Sequence, residues 1–299
     1  MAEPRYKIRA YGAPFELQYS SCSNIKPTHF DWSASEGDTE VWIDLALSYQ
    51  PDTPTQKQKR YGWLCESSVV HPKVYNLLET KYQYLFDNFY NKIFTCDDRL
   101  VALHPNFSSI PSGSNYPWIP KPQWGIYCDK SKLCSMTASP KTWTEGHKYR
   151  HAVAKLVKDL NYDLYGGAHG SPRNIKTITD FNSLYSPWNT KLEHLEDYMF
   201  HVVIENHYND SYYTEKLTDC FATGTVPVYY GSNKLPSFFD ERGIIRLEKG
   251  KEEEILKSLN KDKYNTMMPY IKNNLLGLNQ LKLADDHIFE IIQHETTNT

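Results

Sequence analysis

Residues 198–232 read YMFHVVIENHYNDSYYTEKLTDCFATGTVPVYYGS. His201 to Ile204 and Val226 to Tyr230 are short, β-branched apolar runs, the pattern of strands buried on both faces of a parallel sheet. Between them Thr214 can cap a helix, Leu217 and Phe221 stand four residues apart on one face, and Gly224 falls where a helix end needs left-handed φ. The stretch is therefore expected to form one strand, helix, strand unit. In open α/β sheets ligands bind beyond the carboxyl ends of the strands, here Glu205, Asn206, the loop to Tyr213, and Gly231 with Ser232. The free N–H groups and dipole of the helix start favour an anion. Lys216 puts a full positive charge in the first turn, where the dipole alone would prefer an acid. This is the layout of a phosphate site.

Three pieces of that stretch, Ile204-Glu205-Asn206, Tyr212-Tyr213-Thr214-Glu215-Lys216 and Gly224-Thr225-Val226-Pro227-Val228-Tyr229-Tyr230-Gly231-Ser232, resemble in order the donor-binding signature of glycosyltransferase family 10, the α1,3/4-fucosyltransferases. Lys132 to Arg150 is similar to the family's strand, turn and Arg-headed helix, and Tyr165-Gly166-Gly167 followed by Arg173 to its Gly-Gly and Arg segment. The resemblance implies an α/β fold of GT-B type, two Rossmann-like βαβ domains facing across a cleft. On this chain it places an N-terminal acceptor-side domain over residues 1–125, a nucleotide-sugar donor domain over 126–265, and a C-terminal helical tail over 266–299 that packs back on the first domain. It implies an inverting, metal-independent transfer of fucose from GDP-fucose to a glycan hydroxyl. The same fold with another nucleotide sugar, and a non-catalytic module that binds nucleotide sugars or glycans, remain open alternatives.

By the same resemblance, Arg173 and Lys216 bind the donor diphosphate, Glu215 holds the ribose hydroxyls, and Asn206 and Tyr212 contact the donor, while Glu205 orders the loop. From the Arg-headed helix, Arg150 is expected either to reach phosphate or base or to be structural, and His147 to be structural. Trp63-Leu64-Cys65-Glu66-Ser67 resembles the family's Glu-Ser-Pro segment, with Ser68 where the Pro would stand, and makes Glu66 the candidate general base. Asp97, after the next apolar run, is the second choice.

No GxGxxG, GxxxxGK[ST], HExxH or GxSxG occurs, so dinucleotide, P-loop, zincin and hydrolase-elbow readings have no support. Asp-x-Asp is absent as well, and the paired acids Asp97-Asp98 and Asp285-Asp286 read as caps or solvated charges. No metal cofactor is therefore expected, and cations take its place: Arg173 as a fork and Lys216 as a point charge can stabilise a departing diphosphate. The chain has 299 residues, enough for two domains at ~150 residues each. Its net charge of −3 argues against nucleic acid as a partner. The 23 Tyr and 7 Trp read first as packing and second as platforms for sugar rings. Six cysteines show no CxxC spacing and are expected as reduced thiols. No apolar run reaches the length of a signal peptide or a membrane span, so a cytoplasmic enzyme, of a bacterium or of a virus or phage in its host, is expected.

Elsewhere the pattern predicts strands at Glu40–Leu47, Arg60–Cys65, Lys92–Cys96, Leu133–Thr137 and Tyr162–Tyr165. It predicts helices at Pro72–Phe86, Gly146–Leu160, Trp188–Met199, Glu252–Leu259 and Met267–Leu283. Pro105–Pro122, with five prolines and four serines, reads as loop and interdomain linker.

Overall fold

The computed structural model describes residues 5–22, 25–49, 59–127, 130–166 and 190–297. Two compact units emerge, one of residues 1–116, 210–212 and 282–299, the other of 117–209 and 213–281. The division thus falls at Pro117 and Lys282 instead of after 125 and 265.

The first unit holds a six-stranded parallel sheet of β1 (Tyr6–Tyr11), β2 (Phe30–Ser33), β3 (Thr39–Ile43), β4 (Lys59–Trp63), β5 (Lys92–Thr95) and β6 (Phe107–Ser109), in the order β2-β1-β3-β4-β5-β6. One face packs on α1 (Pro72–Asn88) through Val74, Tyr75, Leu78 and Leu85. The other carries Ile8, Phe30, Trp32, Val41, Tyr61, Trp63 and Phe94, covered by Ala284, Ile288 and Ile292 of the chain's last helix, Ala284–Thr297. Neighbouring strand residues therefore serve opposite cores, as with Ile93 and Phe94. The strand expected to reach Leu47 stops at Ile43, because Asp44 takes a left-handed φ of 48° and opens a 3₁₀ turn over Asp44–Ser48. α2 (Asp98–Leu103) follows β5, capped by Asp97, whose carboxylate accepts the Arg99 N–H at 3.0 Å and grips its guanidinium at 2.7 Å. That arrangement makes Asp97 a cap, not a free base. Inside the segment expected to be loop, Phe107–Ser109 pairs with β5 as an edge strand, a place where so few apolar residues suffice.

The second unit holds β7 (Lys132–Ala138), β8 (Asp163–Gly166), β9 (Tyr198–Ile204), β10 (Val226–Tyr230) and β11 (Ile245–Arg246), all parallel, in the order β11-β10-β9-β7-β8. Every residue of β9 is buried, as a strand covered on both faces requires. α3 (Glu145–Asp159) crosses from β7 to β8, and α5 (Glu215–Ala222) crosses from β9 to β10. Gly224, at φ 66°, ends the latter crossing as expected. The helix expected over Trp188–Met199 is corrected. In its described part, one turn, α4 (Thr190–Glu193), gives way to turns, and Tyr198 and Met199 already belong to β9. Leu192, Leu195 and Met199 keep helical spacing, but pairing of Tyr198 with Lys132 across to β7 wins over that local pattern. α6 (Glu252–Lys257) and α7 (Lys261–Gly277) close the unit, the latter six residues earlier than expected because Asn260 accepts the Lys263 N–H at 2.9 Å as N-cap. The last helix is α8.

Candidate active site

The carboxyl end of β9 leads straight into a buried cluster of charge. Glu205 is fully buried, and its carboxylate accepts the Thr214 N–H at 2.9 Å and the Thr214 hydroxyl at 2.8 Å. Thr214 in turn is the N-cap of α5, so the strand end and the helix start are tied by one acid. Lys216 lies in the first turn with Nζ 3.0 Å from Thr214 Oγ1, 3.6 Å from Glu205 and 3.4 Å from Glu215. The positive charge that seems misplaced beside the helix dipole is thus balanced from within the chain by two acids. Burial raises the Glu205 carboxyl above its ordinary value, with Lys216 pulling the other way. Burial would also raise Glu215, but Lys216 and then Lys191 outweigh it and hold that carboxyl below the usual range.

Lys191, which nothing in the sequence pattern marks, completes the cluster. It is 3.5 Å from Glu215, ion-paired to the buried Asp219, and its ammonium sits 4.4 Å from the Trp118 ring centroid. Asp219 also accepts the N–H groups of Trp118 at 2.8 Å and Ile119 at 3.0 Å. Its pKa is raised by burial, opposed by Lys191. Glu215 and Asp219 stand four apart on α5, the only hint of this pairing in the sequence. By formal charge, the three acids and two cations described here sum to −1. A nucleotide diphosphate bound here would have to be met by Lys216 turning from its acids and by further cations.

The neighbouring helix α3 is pressed against the same strand end. A Cβ on Gly146 would collide with the Glu205 carbonyl and come within 2.6 Å of the Asn206 carbonyl oxygen, so only glycine allows this approach. Thr144 and His147 form a capping box at the start of α3, and burial, then Arg150, lowers His147 to about 4. His147 is therefore structural, as expected. Arg150 is buried and donates to the Ile204 carbonyl and, at 3.2 Å, to Asn206 Oδ1. It shapes the β9 exit and orients Asn206. Arg173 lies outside the described residues.

Within the first unit, Glu66 follows the end of β4 and is held from three sides. Its N–H donates to Asp44 Oδ1 at 3.2 Å, its carbonyl accepts from the Tyr75 hydroxyl at 2.9 Å, and its carboxylate Oε2 accepts from the Tyr212 hydroxyl at 3.1 Å. Tyr212, expected to contact the donor, is buried, and its hydroxyl donates to Glu66 within the first unit. The residue pattern did not single out Asp44 or Tyr75. The paired acids near the C-terminus also depart from expectation. Asp285 is buried and accepts from Ser21 and, at 2.7 Å, from Trp32 Nε1, while Asp286 accepts from the Thr28 N–H at 2.7 Å. They fasten α8 to the first unit and are not solvated. None of the five described cysteines forms a disulfide. Among the described residues no helix is long and apolar enough to cross a membrane.

Comparison with known proteins agrees with this layout. The family described as glycosyltransferase family 10 (fucosyltransferase), C-terminal region, matches residues 128–270. The fold is shared with an α1,3-fucosyltransferase solved with GDP, at TM-score 0.52 and 14% identity over 96% of this chain and 94% of that one. A structure of α1,3-fucosyltransferase with GDP-fucose gives 0.51 and 14% over 94% and 91%. An α-glucosyltransferase in complex with UDP and a DNA 13-mer gives 0.56 and 11% over 97% and 99%. No curated protein matches the sequence. Two units, each a parallel sheet flanked by helices, are the α/β architecture of the GT-B glycosyltransferases. The strand exit, the capped helix and the charged turn of the second unit all lie inside residues 128–270, the segment that matches glycosyltransferase family 10.

Proposed function

We propose that the protein transfers fucose from GDP-fucose to a hydroxyl of a glycan acceptor, with inversion and without a metal ion. The observation that carries the reading is Lys216 at the capped start of α5, inside the segment matched to the family. As the bond from the anomeric carbon to the diphosphate breaks, negative charge gathers on the leaving phosphate, and Lys216, turned from its acids, and Arg173 stabilise it as cations. Glu215 accepts from the ribose hydroxyls, and Asn206, aligned by Arg150, contacts the donor. Glu66 removes the proton of the attacking hydroxyl, its carboxylate aimed by the Tyr212 hydroxyl. Attack on the face opposite the leaving group gives the inverted product. The acceptor is a glycan and not nucleic acid, in keeping with the net charge of −3, and the enzyme works in the cytoplasm.

A thermal-shift screen of nucleotide sugars tests the donor. A ligand at 100 times its Kd stabilises by about 2.7 kcal/mol. A shift with GDP and GDP-fucose and none with UDP sugars is the expected result; the reverse would assign the donor site to a UDP sugar.

A further inference from the structure

Glu66 stands on main chain that another buried acid holds in place. Asp44 adopts φ 48°, a conformation that costs a non-glycine residue free energy and that the surrounding packing must enforce. Its side chain is buried, and Oδ1 accepts both the Cys65 N–H at 3.0 Å and the Glu66 N–H at 3.2 Å. Oδ2 is buried without a hydrogen-bond partner, 3.8 Å from His71 Nε2 at the start of α1. The titratable groups facing it are Glu66 and Cys65 after β4, and His71 and Tyr75 from α1.

We propose that Asp44 is a positioning residue for Glu66, fixing the main chain that carries it and placing a neighbouring like charge beside its carboxylate. The inference rests on the reading of Glu66 as the general base. An asparagine would accept the same two N–H groups without bringing an acid into a buried site, so the hydrogen bonds alone do not account for an aspartate. What the aspartate adds is a charge that comes and goes. Burial, with the like charge of Glu66 behind it, raises Asp44 to about 7, while burial lowers His71, opposed by Glu66. When Asp44 loses its proton, a second negative charge faces Glu66 and favours the step in which that carboxylate takes up the acceptor's proton.

The test follows GDP release from GDP-fucose with water as acceptor, as a function of pH, in wild type and Asp44→Asn. Wild-type turnover is expected to rise through a limb near pH 7. Asp44→Asn keeps the Oδ1 acceptor, so it is expected to bind GDP as wild type does, lose that limb, and turn over about tenfold more slowly at pH 8 with little change at pH 6. An unchanged pH profile in Asp44→Asn overturns the inference, because a merely structural role would move stability and leave the limb in place. Should the variant not fold, carbon-13 carboxyl titration of the wild-type protein decides: the Asp44 carboxyl must titrate near pH 7, together with the limb in turnover, and an Asp44 titration well away from that limb refutes the inference. Glu66→Gln separates the two readings. If it retains turnover, the base has been misassigned; if it loses turnover while Asp44→Asn keeps the limb, only the role of Asp44 fails.

Discussion

Replacing Lys216 by alanine should damage both the folded protein and its nucleotide site, and the two losses can be told apart. Lys216 Nζ stands 3.6 Å from Glu205 and 3.4 Å from Glu215. At such separations each pair has a gross attraction of about 4 kcal/mol with an effective dielectric constant near 20. Removing one partner of a buried pair costs about 3–5 kcal/mol because the other charge is stranded. The Lys216 side chain is 29% exposed, so water screens part of this, and the lower end, about 3 kcal/mol, is expected. For a chain of this size that lowers Tm by about 5–10 °C. The loss should depend on pH. Glu205 already has a raised pKa, and removal of the lysine raises it further. A group whose folded pKa is raised stabilises most below its unfolded value, ordinarily 4.5, and loses that contribution as pH rises. The Tm deficit of Lys216→Ala should therefore be small near pH 4.5 and largest above neutrality. GDP affinity, measured by calorimetry, should fall roughly 10- to 100-fold through the loss of one charge-assisted contact. Adding Glu205→Gln should restore much of the Tm and none of the GDP affinity. Wild-type GDP affinity in Lys216→Ala, or a Tm deficit that does not vary with pH, would refute the reasoning.

Glu66→Gln should leave GDP affinity intact while kcat drops by about 10²- to 10⁴-fold; joint loss of both, seen by calorimetry and rate assay, would mean Glu66 is structural. Arg173→Ala should cut turnover by about 10²- to 10³-fold and weaken GDP, with Tm unchanged. Transfer should persist in excess EDTA, and a complete loss restored by divalent metal would sink the metal-independent mechanism. Gly146→Ala should destabilise by about 1–3 kcal/mol, against the usual gain of alanine over glycine in a helix, since the new methyl meets the Glu205 and Asn206 carbonyls; chemical denaturation reads the sign.

Where the sequence was legible, local and tertiary preferences agree. The stretch from Tyr198 to Ser232 carries buried apolar runs, an N-cap at Thr214 and a left-handed glycine at 224, and each appears where expected. β1 and β2 were not legible. Tyr6–Tyr11 and Phe30–Ser33 mix charged and aromatic residues, and become strands only by pairing with each other and with β3. The site divides in the same way. Lys216 and Glu215 lie within one helical turn and could be read from spacing. Lys191 reaches them from a four-residue helix, and Asp44 reaches Glu66 from across 22 residues of sequence, so neither has a local signal. Tyr212 was read as a donor contact from its place in a motif; the hydrogen bond of its hydroxyl to Glu66, 146 residues away, has no local signal.

The sheet of the first unit has one face sealed by α8, through Ala284, Ile288 and Ile292 and the anchors Asp285 and Asp286. That gives the chain an order of manufacture. The first strands leave the ribosome long before the helix that must cover them, and the whole of the second unit, within residues 117–281, is made in between. At synthesis rates of about 5–20 residues per second, Phe30, Trp32, Val41 and Trp63 wait on the order of ten to fifty seconds with an apolar face uncovered. Nascent protein is therefore expected to hold a folded second unit beside an unsealed first one. A chain that ends just short of residue 284 and is held clear of the ribosome by a linker should be cut by protease among the described residues of the first unit and spared in β7, β9, β10 and α7 of the second.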